Sequence, residues 1–148
     1  MRVAVTALCL ACVLLLPARQ ISAAPADPAP PADDGPVDPK PPFIRELQQA
    51  LKADDKTWMA AHLHLPVRYY GKTNATIRSK DWFVKHYATI IGPELKANVL
   101  AQDPEKYFEN YQGLMVGDGG RNIWFQDFGD EGAGRPADFQ IITINNSP

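Results

Sequence analysis

Between Pro25 and Pro42, eight of 18 residues are proline, and Ala, Asp and Gly fill most of the remaining positions. Proline removes backbone donors, and the stretch offers almost no apolar side chain to bury. It is therefore expected to be an extended linker or tether over residues 25–42, without a core of its own. That stretch divides the chain. Everything patterned to fold by itself lies after it, from Phe43 to Pro148, a length that suits one domain resting on a single apolar core.

Ahead of the linker, Met1-Arg2 leads into an uncharged, mostly apolar run from Val3 to Leu16, closed by Pro17 and followed by Ser22-Ala23-Ala24. A positive start, an apolar middle and a small-residue end make up a secretory signal peptide, expected over residues 1–24 with cleavage after Ala23 or Ala24. The apolar run has 14 residues, short of the roughly 20 that cross a bilayer as a helix. Retention as an anchor is the alternative, and no membrane span is expected after cleavage. Both cysteines, Cys9 and Cys12, lie inside the run and leave with it. The exported protein is expected to be periplasmic or secreted, with no disulfide, no thiol chemistry and no cysteine-bound metal.

Past residue 42 the chain carries 12 basic and 13 acidic side chains, well mixed along its length. It has no basic stripe to neutralise phosphates, which argues against nucleic acid as a partner.

Phe43, Ile44, Leu47, Ala50 and Leu51 recur at the spacing of one buried helical stripe. Asp54 or Asp55 can cap a second helix that places Trp58, Met59, His62 and Leu63 on one face until Pro66 stops it. Val67–Tyr70 is β-prone, and Gly71–Asn74 reads as a turn. Ser79 caps a third helix with Trp82, Phe83, Tyr87, Ile90 and Ile91 on its apolar face. Gly92-Pro93 ends it and opens a short helix to about Gln102, and one further helical turn is expected at Asp103-Pro104.

After Asn110 the apolar period changes from 3.6 to 2. Tyr111–Val116 and Asn122–Phe128 are expected as strands around Gly117-Asp118-Gly119-Gly120. That glycine cluster joins two strands and precedes no helix, so it is a hairpin and not a phosphate loop. A Gly-rich loop, Gly129–Arg135, leads to a last strand, Asp138–Ile144. Helices first and a meander afterwards give an α+β fold, with the N-terminal helices packed on a curved antiparallel sheet.

Phe43-Ile44-Arg45-Glu46-Leu47 ahead of the Asp54-Asp55 helix start, with Tyr111-Gln112-Gly113-Leu114-Met115-Val116-Gly117 facing Ile123-Trp124-Phe125, resembles the NTF2-like (SnoaL-like) superfamily, in particular its small secreted bacterial members. The likeness runs from about Phe43 to Asn145. It implies a cone or half-barrel whose mouth is often a ligand pocket, and frequent homodimerisation through the sheet. The superfamily holds isomerase-like and dehydratase-like enzymes beside many non-enzymes, so the fold alone assigns no activity.

Candidate chemistry is sparse. His62 and His64 have strand-type spacing for a shared metal, but on a helix end their rings diverge and no third ligand is spaced to join them, so no metal and no cofactor are expected. An acid–base mechanism needs a carboxylate or His beside a Tyr donor in a dry pocket. Asp54, Asp55 and Asp81 are better explained as helix caps, and His86 as a boundary residue. The aromatic set is more informative. Trp58, Tyr70, Trp82, Tyr87, Tyr111 and Trp124, with His62, are the candidates to line the mouth of a half-barrel, as an apolar pocket with polar handles. The function expected from these residues is that of an exported non-catalytic domain binding a small apolar ligand or a protein partner in the bacterial envelope. The alternatives are a small-molecule isomerase or lyase-like enzyme with an Asp or His base and a Tyr donor, and a periplasmic inhibitor or immunity protein using the Gly129–Arg135 loop.

Overall fold

In the computed structural model, residues 37–147 are described; the signal peptide read over residues 1–24 and the linker as far as residue 36 lie outside the described residues. Helix α1 (Lys40–Lys52) starts three residues ahead of Phe43, inside the stretch read as linker. Pro41 and Pro42 sit in its first turn, where backbone N–H groups have no intrahelical partner and the fixed φ of proline already suits a helix. Asp55 caps α2 (Lys56–Ala61) by accepting from the Thr57 and Trp58 N–H groups at 3.0 and 2.9 Å. Ser79 caps α3 (Lys80–Ile90) as expected, through the Trp82 N–H, and Gly92-Pro93 opens α4 (Pro93–Ala101).

Helix α2 is shorter than its apolar spacing predicts. It ends at Ala61, His62 is its C-cap, and β1 (Leu63–Tyr70) begins at once, so Leu63 and Pro66 belong to a strand and not to the helix. Proline cannot donate to a strand ladder. The structure accommodates it where the pairing of β1 with β6 (Phe139–Asn146) slips between Leu63 and Arg68, and where pairing with β2 (Ala75–Ile77) covers only Val67–Tyr69. The expected helical turn at Asp103-Pro104 is a turn closed by the Lys106 N–H on the Asp103 carbonyl, and a short strand β3 (Phe108–Asn110) follows it. Tyr111 and Gln112 then make the turn into β4 (Gly113–Asp118), and β5 (Arg121–Asp127) returns across the Gly119-Gly120 hairpin.

Among the described residues the fold is α+β, with four α-helices and one six-stranded open sheet of order β2-β1-β6-β5-β4-β3. The sheet is mixed and not the antiparallel meander expected, because β1 and β6 run parallel at its centre. Chain order explains the difference. A hairpin can join only antiparallel neighbours, whereas β1 and β6 are separated by two helices and four strands and can meet in either direction.

One apolar cluster joins helices to sheet, with Ile44, Leu47, Met59, Phe83 and Leu95 packed against Val67, Val116, Ile123, Phe125 and Ile141. Alternation then sends His64, Arg68, Tyr70, Trp124 and Gln126 to the opposite face of the sheet, which no described helix covers.

Candidate functional site: the open face of the sheet

Cross-strand register builds the open face in rows. Arg68 on β1 pairs with Thr143 on β6, which pairs with Trp124 on β5, then Met115 on β4 and Phe108 on β3. The neighbouring row runs Tyr70, Asn145, Asn122. Asn122 is the buried polar residue of the described chain, and both ends of its amide are hydrogen-bonded. Its Nδ2 donates to the Gly119 carbonyl at 2.5 Å, and its Oδ1 accepts from Asn145 Nδ2 at 2.6 Å. The Asn145 side chain is thereby tied into the sheet.

Between these rows lies an open cleft of about 440 Å³, floored by Arg68, Tyr70, Trp124 and Asn145, with Tyr111 and Gln112 standing at its side from the β3–β4 turn. The Phe108 ring meets the Trp124 indole edge-on, with centroids 6.1 Å apart at 86°. Tyr111 is 93% exposed. Three of the seven candidate residues, Tyr70, Tyr111 and Trp124, thus come together here.

The other four lie elsewhere. Trp58 of α2 and its C-cap residue His62 stack on one another at 3.8 Å, with His62 Nδ1 2.8 Å from the Trp58 carbonyl. Trp82 makes the same i,i+4 stack with His86 on the exposed side of α3, at 4.1 Å. His64 stacks on Phe128 across the strand ends. Imidazole and indole or benzyl faces satisfy one another in all three pairs. Among the described residues no group of three His, Cys, Asp or Glu side chains is placed to hold a metal ion.

Tyr87 points into the core, 3% exposed. Its hydroxyl has no hydrogen-bond partner among the described residues, although Lys56 Nζ lies 5.7 Å from the ring centroid. Burial, with the Asp54 and Asp55 carboxylates nearby, pushes it up to about 12. The folded protein holds this proton more tightly than the unfolded chain does, so the associated stability is complete below about pH 10 and is lost as pH rises towards 12. Tyr87→Phe removes a buried unpaired hydroxyl and is expected to stabilise the domain by about 1 kcal/mol at neutral pH. Urea unfolding measures that change, and an absorbance titration should lose its step near pH 12. A destabilised variant would show that the hydroxyl has a partner.

The tyrosine–carboxylate contact that forms is Tyr107 with Asp38, on the surface where the chain enters α1. Burial works to raise the Asp38 carboxyl, but the Tyr107 hydroxyl and the Lys40 backbone N–H and ammonium outweigh it and hold the group below its usual range. Lys40 also pairs with Glu109 at 3.3 Å. This cluster latches the start of α1 to β3, outside the layer between helices and sheet. Asp127 is likewise structural, its Oδ1 accepting from the Gly129 and Asp138 N–H groups at 2.8 Å each. The Gly129–Arg135 loop closes on itself through Asp130, which takes up the N–H groups of Ala133 and Arg135.

Signals for the open face were present in part. The alternation of Arg68 with Val67 and Tyr69, and of Trp124 with Ile123 and Phe125, marks outward positions. Arg68, Gln112, Gln126 and Asn145 carry no motif, and only the register of distant strands brings them to the aromatic rings. No helix among the described residues is long and apolar enough to cross a membrane. No protein-family model, no curated protein and no solved structure matches the chain, so the site rests on its own geometry.

Proposed function

We propose that this chain is an exported, non-catalytic NTF2-like domain that engages an envelope partner through the open face of its sheet. The observation that carries the proposal is where the aromatic side chains go. The space between helices and sheet is packed with Phe83, Phe125, Met59 and aliphatic neighbours, while Tyr70, Tyr111 and Trp124 line a cleft on the opposite side. A packed interior favours a partner at the surface over a small apolar ligand inside a cone. Two helices ahead of β1 and a helical layer on one side of a six-stranded sheet support the superfamily assignment.

Photo-crosslinking tests the proposal in cells that export the full chain. Tyr111→p-benzoylphenylalanine is expected to give adducts in the envelope fraction, and Lys85→p-benzoylphenylalanine on exposed α3 is not. Adducts from neither position, or equally from both, overturn it. Mass spectrometry of the recovered protein is expected to place the N-terminus at Ala24 or Pro25.

A further inference from the structure

The chemistry of the cleft narrows what the partner can be, on the assumption that the open face is the binding surface. Its lining combines aromatic rings, two of them phenols, with side-chain amides, the Thr143 hydroxyl and one cation, and Ile142 supplies its aliphatic side chain. Each amide of Gln112, Gln126 and Asn145 both donates and accepts, as does the hydroxyl of Thr143. Groups that do both are the complement of sugar hydroxyls, which also do both. Aromatic faces are the complement of the C–H faces of sugar rings. An apolar protein anchor would leave the Gln112 and Gln126 amides desolvated and unpaired, at a cost for each.

Charge sets the second criterion. Among the described residues no Asp or Glu lines the cleft and Arg68 makes no ion pair, although seven pairs form elsewhere on the molecule. An unpaired guanidinium on the floor of a carboxylate-free cleft selects for an anion, and its planar fork suits a carboxylate bidentately. A single cation is too little for a nucleic-acid backbone, whose binding needs several phosphates neutralised. The cleft volume of about 440 Å³ lies within the roughly 300–1,000 Å³ of ligand sites, and the cleft is open to solvent.

We infer that the open sheet face binds a carboxylate-bearing oligosaccharide. The Trp124 and Tyr111 rings stack on successive sugar faces, and the Phe108 edge holds the indole in place. Arg68 pairs with the carboxylate, and the side-chain amides take the hydroxyls.

The indole N–H groups of the three tryptophans provide the test, because Trp58 and Trp82 lie away from the cleft and serve as internal controls. Purified protein is titrated with a uronic-acid oligosaccharide, with the same chain after reduction of its carboxylates to alcohols, and with an acidic proline-containing peptide. The uronic-acid chain is expected to shift the Trp124 indole resonance alone, about tenfold more tightly than the reduced chain. Arg68→Gln should erase that tenfold preference and leave the reduced chain unaffected. Tyr111→Ala, at a site too exposed to disturb folding, should weaken both by about tenfold or more. No shift at Trp124 with either oligosaccharide overturns the inference, as does a preference that survives Arg68→Gln. A shift with the peptide alone replaces the glycan by a protein segment and leaves the open-face proposal standing. Movement of the Trp124 resonance with protein concentration alone means that a second copy fills the face, which also overturns the glycan. Failure of the crosslinking at position 111 removes the binding surface itself.

Discussion

Phe125→Ala is expected to lower the thermal unfolding midpoint by roughly 12–40 °C. Phe125 is fully buried on β5, paired with Leu114 on one side and Ile141 on the other, and its ring meets Phe43 of α1 edge-on with centroids 4.9 Å apart. It therefore holds the central strands and the first helix in one contact. Truncation removes most of its buried area and leaves a cavity whose walls are β-sheet backbone and a helix anchored at both ends, which cannot collapse into it. Phenylalanine-to-alanine changes at such sites cost about 3–5 kcal/mol. For a domain of this size each kcal/mol moves the midpoint by about 4–8 °C. Circular dichroism melting measures the shift, and a change under about 5 °C would show that the ring is not a structural pivot.

Gly113→Ala is expected to cost about 3 kcal/mol or more, whereas Gly119→Ala should cost about 1 kcal/mol. The two glycines sit at opposite ends of the β4 strand region, and both have positive φ, +125° at Gly113 and +54° at Gly119. They differ in φ, since +54° lies in the left-handed region that a side chain can adopt and +125° does not, and also in their surroundings. A Cβ at Gly113 would stand 2.0 Å from the Phe125 carbonyl oxygen, while one at Gly119 meets nothing within 4 Å. The obstructing atom at Gly113 is backbone in the central ladder, so relief requires β4 and β5 to separate. Urea denaturation of both variants checks the contrast, and equal losses would show that neither the obstruction nor the φ at Gly113 adds a cost.

Helix starts and the hairpin were legible because their causes are local. Ser79 and Asp55 cap through bonds to N–H groups two or three residues away, and Gly119-Gly120 supplies the turn within one strand pair. The end of α2 was not legible. Trp58, Met59, His62 and Leu63 have helical spacing, but Leu63 is needed by β1, which pairs with a strand nearly eighty residues later. Strands β2 and β3 were missed for a related reason. Each has three residues and exists only because a longer neighbour offers it a ladder. The candidate site was legible as a set of aromatic residues but not as a place. Tyr87 and Trp82 lie five residues apart on α3, and rotation about the helix sends the first into the core and the second to solvent.

The sequence by itself determined that the domain is α+β, where its caps and its main hairpin lie, and which aromatic residues had to be accounted for, since propensity, capping and period act over a few residues. Tertiary structure alone decided that the sheet is mixed, that Pro66 lies in a strand, and that Arg68, Tyr70, Tyr111 and Trp124 share one cleft. The first two depend on how β1 pairs with β6, and the cleft depends also on the registers that carry β6 to β5 and β4. Register between strands so far apart is set by how the whole apolar face packs, and no local pattern encodes it.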